Sequence, residues 1–117
     1  MEKSGNEILD ITFEFALAIV EFAETLENSR KFIIANQLLK SGTSIGANTR
    51  EAQNAESKAD FIHKMKIAAK EADETEYWLL ICQYSKNYPD TIYLQEKLNS
   101  IKKVLNKIIS SSKKTIN

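Results

Sequence analysis

The sequence predicts an all-α protein, an antiparallel up-down four-helix bundle with short connections. Three glycines and one proline occur in 117 residues, and an all-β domain of this size needs many more of both for its turns. Apolar residues recur every three or four positions along most of the chain, which is the spacing of one face of an α-helix. The length fits a single domain, residues 1–117, with one hydrophobic core.

The first predicted helix covers residues 6–28 and is apolar over a wider surface than one core contact needs. A second apolar stripe runs along Phe13, Leu17 and Val20. Either this helix is central within the fold, or another subunit covers the second stripe. These three residues are therefore candidates for an oligomer interface. The predicted core stripe consists of Ile8, Ile11, Phe15, Ala18, Phe22 and Leu26.

The second predicted helix covers residues 30–55 and contains a stretch, residues 41–46, whose composition is typical of a loop. The helical periodicity nevertheless continues through it. Gly42 and Gly46 lie four positions apart, so on a helix they share one side and allow a neighbour to approach closely. The sequence leaves a loop and a continuous helix equally open. The predicted inward residues are Phe32, Ala35, Leu39, Gly42, Ile45, Thr49 and Ala52.

The third and fourth predicted helices cover residues 58–86 and 90–111. Ser57 and Asp60 have the spacing of a capping box at the start of the third helix, and Asp90 is expected to cap the fourth. Four helices with short connections favour the up-down bundle. The fourth helix has the 4-3-4-3 spacing of a bundle seam at Leu94, Leu98, Ile101, Leu105 and Ile108.

The charges cancel in total but are unevenly distributed along the chain. Residues 1–29 contain seven acidic side chains and one basic, a balance of −6, whereas the remainder carries 15 basic and nine acidic, a balance of +6. A solvated helix surface and a binding surface for a polyanion both explain this pattern. The candidate nucleic-acid contacts are Lys40, Arg50, Lys58, Lys64, Lys66, Lys70, Lys102, Lys103 and Lys107.

Several polar residues follow helical spacing on the second and third helices. Polar side chains in a bundle interior must be hydrogen-bonded, so we interpret them as a buried network that fixes helix register. A ligand or nucleic-acid contact and a catalytic role are the alternatives. The residues are Ser41, Ser44, Asn48, Glu51, Glu71 and Glu74.

No residue pattern predicts catalysis, a cofactor or a metal site within one chain. His63 is the only histidine, and di-iron bundles need a Glu-x-x-His motif on each of two helices, which leaves only a site shared between subunits. The region of Gly42 and Gly46 lacks the Gly-Lys-Ser/Thr ending of a phosphate-binding loop. Cys82 lies among apolar residues, as an inert thiol does. We therefore expect a non-enzymatic protein.

The sequence also predicts a cytoplasmic protein. No run of about 18 apolar residues is present, so nothing is expected to span a membrane. Residues 1–6 lack the basic and apolar regions of a signal peptide.

Four segments carry a family resemblance: residues 37–48 (QLLKSGTSIGAN), 50–52 (REA), 57–72 and 74–79 (ETEYWL). With these segments the chain resembles the four-helix-bundle proteins encoded in intervening sequences of bacterial 23S ribosomal RNA genes. The accessory protein of diversity-generating retroelements is similar to the same family. The resemblance covers nearly the whole chain.

The resemblance implies a helical 41–46 segment, a ring-shaped homopentamer and no enzymatic activity. Members of the family are suspected of binding RNA, and the retroelement relative binds nucleic acid and a reverse transcriptase through a basic surface. Binding of nucleic acid, structured RNA in particular, is thus the leading functional hypothesis. The alternative is an adaptor that docks a partner protein through an aromatic surface formed by Tyr77, Trp78, Tyr84 and Tyr88.

Overall fold

The computed structural model describes residues 3–116, with side chains for residues 3–114. Within this range the chain forms four α-helices and no strand, which confirms the all-α four-helix bundle. The second helix begins two residues later than predicted, and the fourth extends five residues beyond the predicted end. The helices are α1 (Glu7–Asn28), α2 (Phe32–Ala52), α3 (Lys58–Tyr84) and α4 (Ile92–Ile116).

Each helix packs against two neighbours, in a bundle with extents of 50 × 28 × 21 Å. α1 contacts α2 and α4, and α3 contacts the same two helices. Connections of three, five and seven residues make sequential helices antiparallel. The contact between α1 and α4 is the sparsest of the four.

The segment from residue 41 to residue 46 is a continuous part of α2. A Cβ atom added at Gly42 would lie 2.9 Å from Cγ1 and Cγ2 of Ile19, and one added at Gly46 would lie 3.2 Å from Oγ1 of Thr12. The glycines therefore let α2 lie directly on α1. The loop interpretation is wrong because these residues serve close helix packing instead of a turn.

The inward face of α2 is rotated relative to the prediction. Phe32 is 54% exposed and Leu39 is 38% exposed, whereas Leu38 is fully buried. Because Gly42 and Gly46 must face α1, the residue one turn before them that points inward is Leu38. Assigning Phe32 and Leu39 to the core is therefore wrong. On α1, Ile8, Phe15 and Leu26 are buried, while Ile11, Ala18 and Phe22 are only half-buried at its edge.

Local signals in the sequence explain the helix ends. The Ser57 hydroxyl accepts a hydrogen bond from the Asp60 N–H (3.0 Å), and the Asp60 carboxylate accepts one from the Glu56 N–H (3.2 Å). The Asp90 carboxylate accepts from the Ile92 N–H at 3.3 Å. The cap residue of α4 is nevertheless Thr91, one position after the predicted one, because the Thr91 carbonyl accepts the first helical bond from the Gln95 N–H at 2.9 Å.

The turn between α1 and α2 is a Schellman motif. The Lys31 N–H donates to the Leu26 carbonyl (2.9 Å), and the Arg30 N–H donates to the Glu27 carbonyl (2.8 Å). Arg30 has φ = 62°, the left-handed conformation that this motif usually assigns to glycine. The turn reverses the chain within three residues, which brings α2 back along α1.

Candidate nucleic-acid interface

The antiparallel packing of α3 and α4 places two lysine-rich segments side by side. The register of α3 against α4 follows from a groove between them, which is lined by Ala69 and Asp73 of α3 and by Lys102 and Leu105 of α4. In this register the first half of α3 lies beside the second half of α4. Residues 58–70 carry four lysines and one aspartate, and residues 102–114 carry five lysines and no acid. We call these two segments together the basic end, which has a surplus of eight positive charges.

The opposite end of the same two helices has the reverse charge. Residues 71–96 contain six acidic side chains against Lys86, a balance of −5. The α3–α4 pair is therefore strongly polarised along its axis. A polyanion is attracted to the basic end and repelled from the connection between α3 and α4.

Four of the predicted contacts, Lys66, Lys70, Lys103 and Lys107, are exposed. None of them forms an ion pair within 4.0 Å in the part of the chain that the structure describes. Lys66 and Lys70 are one turn apart on α3, so they share one side of that helix. Lys103 and Lys107 are likewise one turn apart on α4, and Lys107 also borders a groove between α4 and α1. These four lysines are thus free to meet phosphate groups.

Lys102 is already paired within the protein. Its Nζ lies 3.1 Å from Oδ1 of Asp73 and 3.2 Å from Oε1 of Glu76, and the side chain is half-buried. Burial lowers the pKa of Lys102, but its hydrogen bonds to the two carboxylates outweigh burial and raise the pKa above its usual value. This lysine joins α3 to α4, and it is a poor candidate for a phosphate contact.

The remaining predicted cations lie apart from this exposed group. Lys64 pairs with Asp60 at 3.9 Å, and the Nζ of Lys58 lies 6.0 Å from the ring centre of Phe61. The guanidinium of Arg50 lies 5.6 Å from the ring centre of Phe13, on the α1–α2 side of the bundle. Lys40 is exposed on α2, and its charge reaches Glu71 on α3.

Of the six predicted network residues, Ser41 makes a buried polar contact between helices, and its partner and the other contact are threonines that were not predicted. Oγ1 of Thr75 lies 2.9 Å from Oγ of Ser41, and Oγ1 of Thr12 lies 3.4 Å from Oγ1 of Thr49. All four side chains are buried. Sequence reasoning missed the threonines as polar partners, although Thr49 and Thr75 occupy inward positions of the apolar periodicity. An inward position in the apolar periodicity is therefore the sequence signal that identifies these two threonines as buried polar residues.

The other predicted network residues do not extend these contacts. Ser44 donates to the Lys40 carbonyl, and the Asn48 amide donates to the Ser44 carbonyl, both within α2. Glu51 and Glu74 are exposed. Burial and the neighbouring Glu74 raise the pKa of Glu71, which is half-buried. The six residues therefore do not form one buried network, because a carboxylate is costly to bury without a cationic partner.

The second apolar stripe of α1 faces solvent. Phe13, Leu17 and Val20 are 38%, 50% and 36% exposed, and Leu39 of the adjacent α2 is 38% exposed. A subunit interface requires apolar side chains that are exposed in the single chain, and these residues have that exposure.

The aromatic residues lie along the second half of α3 and in the connection that follows it. Tyr77 and Tyr84 are 60% and 85% exposed. The Trp78 ring meets the Tyr77 ring edge-on, with ring centres 5.5 Å apart, and its buried Nε1 has no hydrogen-bond partner among the described residues. The Tyr88 ring is covered by the Lys31 ammonium at 4.8 Å. This surface lies at the acidic end of the α3–α4 pair.

The described residues contain no group of three His, Cys, Asp or Glu side chains arranged to hold a metal ion. His63 is exposed. Burial raises the pKa of the Cys82 thiol to about 11, so it stays protonated near neutral pH. No helix over residues 3–116 is long and apolar enough to span a membrane.

Comparison with known proteins identifies relatives of the whole fold. A family model described as 23S rRNA-intervening sequence protein matches residues 5–107. The crystal structure of a protein of unknown function from the S23 ribosomal protein family of Bacteroides thetaiotaomicron VPI-5482 is also similar. It shares 45% sequence identity with a TM-score of 0.82, over 87% of this chain and 97% of that chain. Curated proteins give no match.

The family match and the structural similarity agree with the resemblance found in the sequence. The family match covers all of α1, α2 and α3 and most of α4. The chain therefore belongs to the 23S rRNA-intervening sequence protein family.

Proposed function

We propose that this protein is a non-enzymatic, cytoplasmic homo-oligomer that binds nucleic acid, structured RNA in particular, through its basic end. The observation that carries the proposal is the juxtaposition of two lysine-rich segments on α3 and α4, which contain the exposed Lys66, Lys70, Lys103 and Lys107. The family of this chain is named after the 23S rRNA, and the similar crystal structure is assigned to a ribosomal protein family. These names support RNA as the polyanion.

Exposed lysines act on nucleic acid mainly through phosphate neutralisation. Each phosphate contact releases condensed counterions, so log affinity falls with log salt by about 0.9 per contact on a duplex. Contacts between lysine ammonium groups and phosphates discriminate little between base sequences or RNA shapes. We therefore expect the protein to prefer folded RNA of high phosphate density over any particular base sequence.

The test is fluorescence anisotropy with a labelled RNA hairpin over a salt series from 50 to 200 mM. The double variant Lys66→Gln/Lys70→Gln is expected to lose at least tenfold in affinity at 50 mM salt. Its salt slope is expected to become shallower by about 2, since each removed contact accounts for about 1. The control Lys86→Gln/Lys97→Gln removes the same charge elsewhere and is expected to change affinity less than twofold. Absence of binding at 50 mM salt, or equal losses in both variants, contradicts the proposal.

Oligomerisation is the second part of the proposal, and the exposed stripe of Phe13, Leu17 and Val20 supports it. A cyclic oligomer would repeat the basic end around one axis and multiply its charge. The resemblance leads us to expect a pentamer. Light scattering should then give about five times the 13.3 kDa chain mass, and Leu17→Glu should give monomers, whereas the control Leu80→Glu on α3 should not. A 13.3 kDa particle for the unmodified protein at micromolar concentration would refute this part.

A protein adaptor is the alternative function, and the exposure of Tyr77 and Tyr84 favours it. Large exposed tyrosines are typical anchors of protein interfaces, and this pair lies where the charge disfavours a polyanion. A partner retained in pull-down by the Lys66→Gln/Lys70→Gln variant but lost by Tyr77→Ser/Tyr84→Ser would support the adaptor. The reverse result would support nucleic-acid binding.

A further inference from the structure

Lys102 lies where the basic end of the α3–α4 pair meets its acidic half. It is the first lysine of residues 102–114, and its salt-bridge partners Asp73 and Glu76 belong to the acidic residues 71–96. Asp73 follows Lys70 by three residues, so these two side chains are neighbours on α3. The salt bridges of Lys102 therefore connect the two regions of opposite charge.

The two carboxylates are more accessible to solvent than the ammonium that they bind. The Asp73 side chain is 70% exposed and that of Glu76 is 40% exposed, against 26% for Lys102. Lys102 also borders a groove of about 300 Å³, which Asn106 of α4 lines as well. Ion pairs with exposed partners contribute little to stability and weaken with salt. Replacing the carboxylates should therefore release the ammonium without disturbing the core.

Two free lysines flank this cluster. Lys103 is the next residue on α4, and Lys70 is one turn before Asp73 on α3. Both lysines are exposed, and neither has an ion pair within 4.0 Å among the described residues. Nucleic acid bound by them lies close to Lys102 and to the carboxylates that hold it. Phosphate and carboxylate oxygens both accept strong hydrogen bonds from an ammonium, so these two kinds of anion compete for Lys102.

We infer that Asp73 and Glu76 limit the affinity of this protein for nucleic acid, because they hold Lys102 away from phosphate. The inference rests on the proposed function and assigns residues that oppose it. In the unmodified chain two carboxylates occupy the ammonium, and Asp73 also repels phosphates near Lys70. A chain without these carboxylates presents Lys102 as one more phosphate contact beside Lys103.

The first test measures binding of the labelled RNA hairpin by anisotropy over the salt series. Asp73→Asn/Glu76→Gln is expected to bind at least about fivefold more tightly at the lowest salt, with a salt slope steeper by about 1. The control Glu74→Gln/Glu96→Gln removes two exposed carboxylates from the same helices, and neither has an ion pair within 4.0 Å in the described part of the chain. This control should change the affinity by less than about twofold, because it releases no lysine.

Lys102→Gln separates the release of this lysine from a general change of charge. It is introduced both into the unmodified chain and into Asp73→Asn/Glu76→Gln. The same charge is removed in both chains, so the long-range effect on RNA is the same. Because Lys102 contacts phosphate only after its release, the loss of affinity should be at least about fivefold larger in the second chain.

Lysine acetylation followed by mass spectrometry tests the state of Lys102 directly, also without RNA. In the unmodified chain Lys102 should react at least about fivefold more slowly than the exposed Lys103, because its ammonium is held in the charged form by two carboxylates. In Asp73→Asn/Glu76→Gln its rate should rise, whereas an unchanged rate at Lys66 shows that α3 keeps its fold. RNA should protect Lys103 in both chains but Lys102 only in the variant.

Two results would overturn the inference and leave the proposed function standing. One is an equal loss of affinity from Lys102→Gln in both chains, and the other is protection of Lys102 by RNA in the unmodified chain as strong as that of Lys103. Acetylation of Lys102 as fast as that of Lys103 without RNA would show that the carboxylates do not hold it. Absence of RNA binding by the unmodified chain and by every variant would overturn the inference together with the proposed function.

Discussion

α1 forms two seams that differ sharply in closeness. Against α2, it meets Gly42 and Gly46, whose missing side chains let Ile19 and Thr12 lie directly on the neighbouring backbone. Against α4, it meets Lys97, Ser100, Val104 and Ile108 across a row of grooves. Small residues bring α1 and α2 close together, whereas α1 and α4 leave grooves between them. The comparison shows that the same helix packs closely on one side and loosely on the other.

The largest expected effect comes from adding a methyl group to the closed seam. Gly42→Ala is expected to destabilise the protein by up to about 2 kcal/mol, because overpacking costs about 1–3 kcal/mol and the better helix propensity of alanine returns about 1 kcal/mol. Urea denaturation measures the change. With Ile19→Ala in the same chain the two losses should be less than additive. Gly46→Ala, whose added Cβ would meet Thr12 Oγ1 at 3.2 Å, is the milder control. A stabilised Gly42→Ala variant would show that the seam is not closed.

The turn that closes this seam is expected to respond in the opposite direction. Arg30→Gly should stabilise the protein by about 1 kcal/mol, since a left-handed conformation costs a non-glycine residue about that much. Thermal denaturation gives the measurement. Asn87 is also left-handed, with φ = 65°, but asparagine tolerates that conformation, so Asn87→Gly should have a smaller effect. Equal gains at both positions would argue against the explanation.

The polar contact within the closed seam is expected to contribute less. Thr12→Val removes the hydroxyl that faces Thr49 at 3.4 Å and keeps the shape of the side chain. Thr49 retains its hydrogen bond to the Gly46 carbonyl at 2.8 Å, so no donor is orphaned and the loss should stay below about 1 kcal/mol. Thr25→Val, on the exposed side of α1, is the control. A loss above that value would mean that the threonine pair fixes the seam more strongly than its geometry indicates.

The smallest effect is expected in the open seam. Ala18→Leu places a larger side chain in the groove of about 230 Å³ beside Phe22 and Leu94. It should leave stability unchanged or raise it by up to about 1 kcal/mol, because it buries additional apolar surface. Urea denaturation alongside Gly42→Ala compares the two seams directly. A destabilisation as large as that of Gly42→Ala would abolish the distinction between them.

Part of this structure followed from local sequence signals. The helical periodicity and the scarcity of glycine and proline predicted the four-helix bundle, and the Ser57–Asp60 spacing predicted a helix start that the hydrogen bonds confirm. These predictions succeed because periodicity and capping depend on residues within one or two turns. The rotation of α2 was missed, since Leu38 and Leu39 are equally apolar and only contact with α1 distinguishes them.

The candidate site depended more strongly on packing. The sequence supplied the lysines and their surplus of charge, but residues 58–70 and 102–114 are distant in the chain, and antiparallel packing alone brings the two segments side by side. The same packing pairs Lys102 with Asp73 and Glu76, which removes one predicted contact from the exposed group. A charge count does not distinguish a free lysine from a paired one.

By itself, the sequence determined the helical class, the number of helices, the family and the acidic character of α1. The tertiary structure decided that Gly42 and Gly46 belong to a helix, which apolar residues remain exposed, and which lysines are free. The physical reason is that helix formation is governed by local periodicity, whereas burial and ion pairing depend on the side chains that neighbouring helices bring. The closed α1–α2 seam and the open α1–α4 seam exist only once α1 lies between both neighbours.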